Sequence, residues 1–333
     1  MTIDKKICLV TGGAGFIGSH LVDMLMDRGC EVRVLDNLAN GKAENICQHE
    51  GSERFRFQKG DILNSGDVRP ILQDVEVVFH LACLGVRHSI AKPFENHRVN
   101  AEGSLNLLLH AREAKVKRFV YCSSSEIYGT AQYVPMPESH PARPETVYGA
   151  SKLAGEAYAR AFHRSYGMET VVIRPFNTFG PRSHYEGDAG EVIPKSIVRV
   201  LNGKAILVFG DGSHARDFTF VRDVARGLIL AGEHPEAVGQ TLNIGTGFEI
   251  SIRELAEKIS ALAAPEQPVH VDFQNPRPGD VGRLFADSGK FRALCGWKPE
   301  VDFNAGLRET VEYFRNHPLG VAALITGETG RNW

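Results

Sequence analysis

The stretch Ile7-Cys8-Leu9-Val10-Thr11-Gly12-Gly13-Ala14-Gly15-Phe16-Ile17-Gly18 decides the fold. An apolar run, a glycine-rich turn and an amphipathic segment from Ser19 to Arg28 read as strand, phosphate loop and helix. Gly12, Gly15 and Gly18 recur every third residue. In such a loop the first glycine makes the turn, the second admits a pyrophosphate and the third lets helix pack on strand. The helix N-terminus then offers free N–H groups and partial positive charge to the anion. Glu31-Val32-Arg33-Val34-Leu35 follows as a second strand and ends in Asp36. A carboxylate about twenty residues beyond the loop accepts hydrogen bonds from a ribose 2′-hydroxyl and repels a 2′-phosphate. The stretch therefore predicts NAD binding in preference to NADP.

Working outward, strands and helices alternate. Phe55 to Ile62 is a strand with Asp61 near its end, after a polar loop from Asn37 to Glu53 with one helical turn. A helix from about Ser65 to Gln73 leads to the buried strand Val75 to Ala82, and Pro93 to Ala114 reads as one long helix. Phe119 to Ser123 is the next strand, the loop Ala131 to Glu145 covers the active face, and Val147 to Tyr166 is a helix. Thr170 to Arg174 is a further strand. This alternation predicts an α/β protein: a Rossmann-type doubly wound parallel sheet whose ligands lie beyond the strands' carboxyl ends. From Gly180 the elements shorten: a helix over Ile193 to Leu201, strands Ile206 to Phe209 and Asp217 to Val221, and helices Val224 to Glu233, Ile252 to Leu262 and Asn304 to Arg315. The expected division is an NAD-binding domain over 1–175, to which later segments return, and a smaller α/β substrate-binding lobe over 176–333.

The 333 residues suffice for a large core, and a formal net charge of −2 with 23% charged residues gives no field for nucleic acid. Six cysteines lie scattered, without C-x-x-C or metal spacing, as buried free thiols of a reducing compartment would. The first strand begins within a few residues of the start and no apolar run reaches membrane-spanning length, so a cytoplasmic protein without metal is expected.

The chemistry centres on Tyr148 and Lys152, one helical turn apart on one face. A phenol ionises near pH 10 in water. The Lys152 ammonium and a positively charged nicotinamide would each lower that value and make a base. The Ser124 hydroxyl, at the end of the strand Phe119 to Ser123, would hold the substrate oxygen.

Here the chain resembles the extended short-chain dehydrogenase/reductases that modify nucleotide sugars, UDP-glucose 4-epimerase among them. The carrying residues are Thr11 to Gly18, Asp36, Gly60-Asp61-Ile62, His80-Leu81-Ala82, Asn100, Ser123 to Gly129, Tyr148/Lys152 and Arg174-Pro175-Phe176-Asn177. The likeness continues through Gly210-Asp211-Gly212, Arg216-Asp217-Phe218, Asn243-Ile244-Gly245 and Arg277 to Val281, nearly the whole chain. It implies tightly held NAD, with contacts from Gly12, Gly15, Phe16, Ile17, Gly18, Asp36, Asn37, Asp61, Ile62, Leu81, Ala82, Asn100, Ser123, Tyr148, Lys152 and Pro175. It implies nucleotide-sugar contacts from Arg87, Ser125, Asn177, Val208, Arg216, Arg277 and Asp280. Guanidinium forks suit diphosphate oxygens.

The resemblance further implies oxidation at the sugar C4, with Tyr148 removing the hydroxyl proton. The 4-keto sugar then has several fates. A 4-epimerase of a UDP-hexose or UDP-uronic acid turns it over and re-reduces it. A 4,6-dehydratase or UDP-glucuronate decarboxylase would use Glu126 beside Ser124, where a glutamate suits the role of base at C5. Ser125 stands where glucose-type dehydratases carry aspartic acid, and Arg277 to Val281 resembles the epimerases. Arg87 and His88 offer a basic pair that suits a uronate carboxyl. A non-catalytic NAD-binding regulator has no need of the complete Ser124, Tyr148 and Lys152 set. By analogy a homodimer is expected, pairing the helix before Ala114 with the helix bearing Tyr148.

Overall fold

The computed structural model describes residues 1–276 and 279–326. Six parallel strands arise in the first half: β1 (Ile7–Thr11), β2 (Glu31–Asp36), β3 (Phe55–Lys59), β4 (Val77–His80), β5 (Arg118–Cys122) and β6 (Thr170–Pro175). The chain continues with β7 (Asn177–Phe179), β8 (Ile206–Phe209), β9 (Ala215–Phe220), β10 (Thr241–Ile244), β11 (Glu249–Ser251), β12 (Val271–Gln274) and β13 (Arg283–Leu284). The main sheet has seven strands in the order β10-β6-β5-β4-β1-β2-β3, with β10 joining it parallel to β6. The strand order reverses between β1 and β4, which opens a crevice at their carboxyl ends.

Side-chain alternation explains the two helical layers. Cys8, Val10, Val77, Phe79 and Val120 face one core with Leu21, Leu25, Val224 and Leu228 of the helices Phe16–Asp27 and Val221–Glu233. Leu9, Val78, Phe119 and Tyr121 face the other, against Ile71, Leu107, Leu108, Ala159 and Phe162. A third core is built from the helices Val192–Leu201, Ile252–Ala263 and Phe303–Arg315 around β8, β9 and β11. There β9 pairs with β7, β11 and β13, while β8 pairs with β12.

One expectation changes. The run from Pro93 to Ala114 is no uniform α-helix: Pro93–His97 and Ser104–Glu113 are joined by a π turn over Arg98–Gly103. The turn rotates the buried Asn100 amide onto the Leu84 backbone, accepting from its N–H at 2.8 Å and donating to its carbonyl at 3.0 Å. The segment after Ala82 also forms a short helix, Val86–Ala91, which carries Arg87.

Strand β10 escapes a reading by apolar runs because its four residues include the buried Asn243. That amide accepts from the Tyr128 hydroxyl at 2.7 Å and donates to Met136 and Asp287 carbonyls. Of the cysteines, Cys8, Cys30, Cys122 and Cys295 are buried free thiols, whereas Cys47 is exposed and Cys83 half-buried.

Candidate active site

The crevice is a cleft of about 440 Å³, within the range of small-molecule sites. Its floor is the glycine loop. Gly12 turns with φ +72°, and a Cβ there would lie 2.7 Å from the Ala82 nitrogen; one on Gly18 would lie 2.1 Å from the Gly12 carbonyl oxygen. Only glycine permits both the turn and the close approach of helix to strand. Asp36 closes one end of this floor. Its two carboxylate oxygens accept from the Ala14 N–H at 3.0 Å and the Leu38 N–H at 2.9 Å. Burial raises its pKa and these two bonds oppose the rise. Each oxygen keeps a free lone pair, so the carboxylate can accept from a ribose hydroxyl.

Gly15, Phe16, Ile17, Gly18, Asn37, Asp61, Ile62, Leu81, Ala82 and Pro175 all line the cleft. Asn100 is not among these lining residues; its amide fixes the backbone of Leu84, which is. Ser123 lines the cleft, but its hydroxyl donates to the Glu156 carboxylate at 2.6 Å.

The helix Val147–Tyr166 begins at the Thr146 cap, whose side chain accepts from the Gly149 N–H. It thereby delivers Tyr148 and Lys152 to the far wall. Lys152 is buried, donates to the Cys122 carbonyl at 2.9 Å and sits 5.4 Å from the Tyr121 ring centroid. Burial alone would lower its pKa, but Cys83, Tyr121 and Tyr148 around it reverse the sign and raise it, so the ammonium persists. Ser124, which accepts from the Glu126 N–H at 3.2 Å, flanks Tyr148.

Burial pushes the Tyr148 phenol well above its ordinary 10, Cys83 adds to the rise, and Lys152 and Ser124 oppose it without cancelling it. The sequence expectation assigns the lowering to Lys152 and a bound nicotinamide together; with Lys152 alone, burial keeps the upper hand.

At the other rim, Arg216 donates to the Asp280 carboxylate at 3.0 Å and to the Val281 carbonyl at 2.6 Å. Arg87, Ser125, Glu126 and Asn177 line the cleft with them. The Asn177 Oδ1 is buried without a hydrogen-bond partner in the protein, which fits a ligand donor. Burial raises the Glu126 pKa, and Arg216 and Arg87 act against that rise. Arg277 lies outside the described residues.

Val208 is a correction. It is buried with Ile206 in the second-lobe core, while strand alternation turns Leu207 and Phe209 into the cleft. The period of two was readable in Ile206 to Phe209; which face met the ligand was not. The sequence reading also missed His214, Glu191 and Val192 on the same rim. Among the described residues there is no cluster able to hold a metal and no helix long and apolar enough to cross a membrane.

The family model described as GDP-mannose 4,6 dehydratase matches residues 9–310. The chain belongs to this family of NAD-dependent nucleotide-sugar epimerases and dehydratases. This family member is 41% identical to a UDP-glucose 4-epimerase of Mycolicibacterium smegmatis, over 92% of this chain and 98% of the relative. It is 34% identical to UDP-glucuronic acid decarboxylase 1 of Danio rerio, over 93% of this chain and 73% of the relative. Among solved structures, a Thermus thermophilus UDP-glucose 4-epimerase in complex with NAD superposes with a TM-score of 0.85 at 36% identity, covering 93% of this chain and 99% of that one. As in the rest of this family, the chain is an enzyme and its cofactor is NAD. The glycine loop and Asp36 fit that molecule.

Proposed function

We propose that this family member is a 4-epimerase of a UDP-linked hexose or uronic acid. Bound NAD supplies a hydride acceptor and, once reduced, a hydride donor. Tyr148 takes the proton of the sugar C4 hydroxyl and later returns it to the C4 oxygen, while Ser124 holds that oxygen by a hydrogen bond. Lys152 stabilises the phenolate, and Asp36, the glycine loop, Asp61 and the Leu81-Ala82 strand end orient the cofactor. Asn177, Leu207, Phe209, Arg216 and Asp280 hold the nucleotide diphosphate, and Arg87 with Ser125 faces the sugar.

The observation that carries the reading is the strand end Ser124-Ser125-Glu126, which presents two hydroxyls and one carboxyl to the cleft. Elimination of water needs a base at C5 and an acid at C6, whereas this strand end offers the single carboxyl of Glu126 beside two hydroxyls. A second reading, decarboxylation of a UDP-uronic acid, is supported by the same carboxyl. Glu126 lines the same cleft with its pKa raised by burial, and a proton donor there would suit return of a proton to C5 after carbon dioxide leaves.

Incubating the NAD-loaded enzyme with UDP-, dTDP- and GDP-linked sugars and following the products by NMR tests the proposal. A C4-inverted sugar of unchanged mass is expected; loss of carbon dioxide or water would defeat it.

The enzyme is also proposed to be a homodimer. The helices Ser104–Glu113 and Val147–Tyr166 lie side by side and leave Leu109 at 38% and Tyr166 at 56% exposure.

A further inference from the structure

Tyr148, Lys152, Glu156 and Arg160 follow one another at four-residue steps on a single helix face. The first two belong to the proton relay proposed above. Glu156 is a fully buried carboxylate to which that relay gives no part. Its Oε1 accepts from the Ser123 hydroxyl at 2.6 Å and from Arg174 Nε at 2.8 Å. Its Oε2 accepts from Arg174 Nη2 at 2.7 Å and from Arg160 Nη1 at 3.0 Å. Arg174 is fixed in turn by donating to the Tyr128 hydroxyl at 2.8 Å and the Glu138 carbonyl at 3.2 Å. The carboxylate therefore has four directed bonds and no freedom to move.

Buried ion clusters add little net stability over an apolar filling, whereas their fixed bonds define geometry strongly. The geometry defined here is that of the strand end. Cys122, immediately before Ser123, supplies the carbonyl that holds Lys152, and Ser124, immediately after it, supplies the hydroxyl beside Tyr148. We propose that Glu156 is a positioning residue for the proton relay: by holding Ser123 it sets where the Cys122 carbonyl and the Ser124 hydroxyl stand, and through them Lys152 and Tyr148.

The inference rests on the Tyr148 relay, so Tyr148→Phe is assayed alongside. Ser123→Ala removes the link while leaving the Glu156, Arg174 and Arg160 ion pairs in place. Its kcat is expected to fall roughly tenfold, the scale of a misplaced proton relay, with KM and retained NAD unchanged. The acidic limb of its kcat–pH profile is expected to move upward by about half a pH unit or more, because a displaced ammonium stabilises the phenolate less. Ser123→Thr, which keeps the hydroxyl, restores both. Arg160→Ala, which alters the same carboxylate from its solvent side, leaves kcat and the limb unchanged.

An unshifted limb in Ser123→Ala overturns the proposal. So does a fall in kcat matched by loss of bound NAD, since the hydroxyl would then serve the cofactor directly, or an equal effect of Arg160→Ala. Should Ser123→Ala lose its circular dichroism, Glu156→Asp, which keeps the charge and shortens the reach by one methylene, carries the same readouts. A Tyr148→Phe enzyme that still turns over defeats the relay itself. An inactive Tyr148→Phe beside a silent Ser123→Ala defeats the positioning role alone.

Discussion

A phenol buried beside one ammonium ion is a poor base, and at Tyr148 burial outweighs the help of Lys152. The relay thus becomes effective when positive charge enters the cleft. Tyrosinate absorbance, titrated on the NAD-loaded and the NAD-free enzyme with Tyr148→Phe as reference, is expected to show one phenol whose pKa falls on loading. An unchanged titration would remove Tyr148 from the role of base. Asp36 makes the second prediction at this scale. Asp36→Ala removes both the acceptor for the ribose hydroxyl and the charge that repels a 2′-phosphate. NAD affinity should weaken by about 1–2 kcal/mol while NADP affinity rises, measured by direct titration.

That Gly12, Asp36, Tyr148 and Lys152 share one cleft was legible in the sequence, because type and spacing set their places in the fold. Val208 was misplaced and Leu207 and Phe209 missed because a strand has two faces, and only the packing of its lobe says which one meets the ligand. The packing of Asn100 on the Leu84 backbone escaped the sequence reading for a related reason, since it is set by a π turn that no residue pattern announces.

Among elements, the helix Val147–Tyr166 was readable from end to end because a Thr cap opens it and Gly167, with φ +67°, closes it. Strand β10 was not, since its buried asparagine breaks the apolar run that marks the other strands. The junction of β1, β4 and the helix after the π turn shows how polar groups can carry such contacts. The His80 ring bridges Thr11 Oγ1 at 2.7 Å and Ser104 Oγ at 2.8 Å, fully enclosed.

Burial lowers the His80 pKa from 6.5 to about 3, with Lys152 adding to the fall. The folded state therefore resists protonation, while the unfolded chain accepts a proton near pH 6.5. The sign follows: the stability is complete above pH 6.5 and is lost progressively as pH falls toward about 3. The loss from this one group is on the order of 4–5 kcal/mol at most. Denaturant midpoints measured from pH 7 to pH 4 should decline more steeply than in a His80→Gln variant. Equal slopes would contradict the assignment.

On the scale of the whole molecule, two lobes meet across the cleft. A strap from the second lobe grips the nucleotide-binding lobe: Arg182 pairs with Asp23 at 2.7 Å, Lys42 with Glu186 at 3.1 Å, and the Pro181 carbonyl meets His20 Nε2 at 3.0 Å. The glycine-loop floor and the rim around Arg216 are thus parts of one surface. This joining was beyond the sequence because every contact in it is long-range. The doubly wound sheet was within reach, since it repeats a local strand–helix pattern. The proposed pairing of subunits belongs to this scale as well. Sedimentation is expected to give twice the chain mass of 36.6 kDa, and Leu109→Asp should shift it toward one chain. A wild-type enzyme that sediments as a single chain would rule the dimer out.

The most direct test of the enzymatic reading uses UDP-glucose and UDP-glucuronate carrying deuterium at C4, with products followed by NMR in protonated and in heavy water. Oxidation and re-reduction at C4 under the Tyr148 relay predicts an inverted C4 that keeps its deuterium, an unchanged mass and no solvent exchange at C5. Solvent hydrogen appearing at C5, or a product short of water or carbon dioxide, would contradict it.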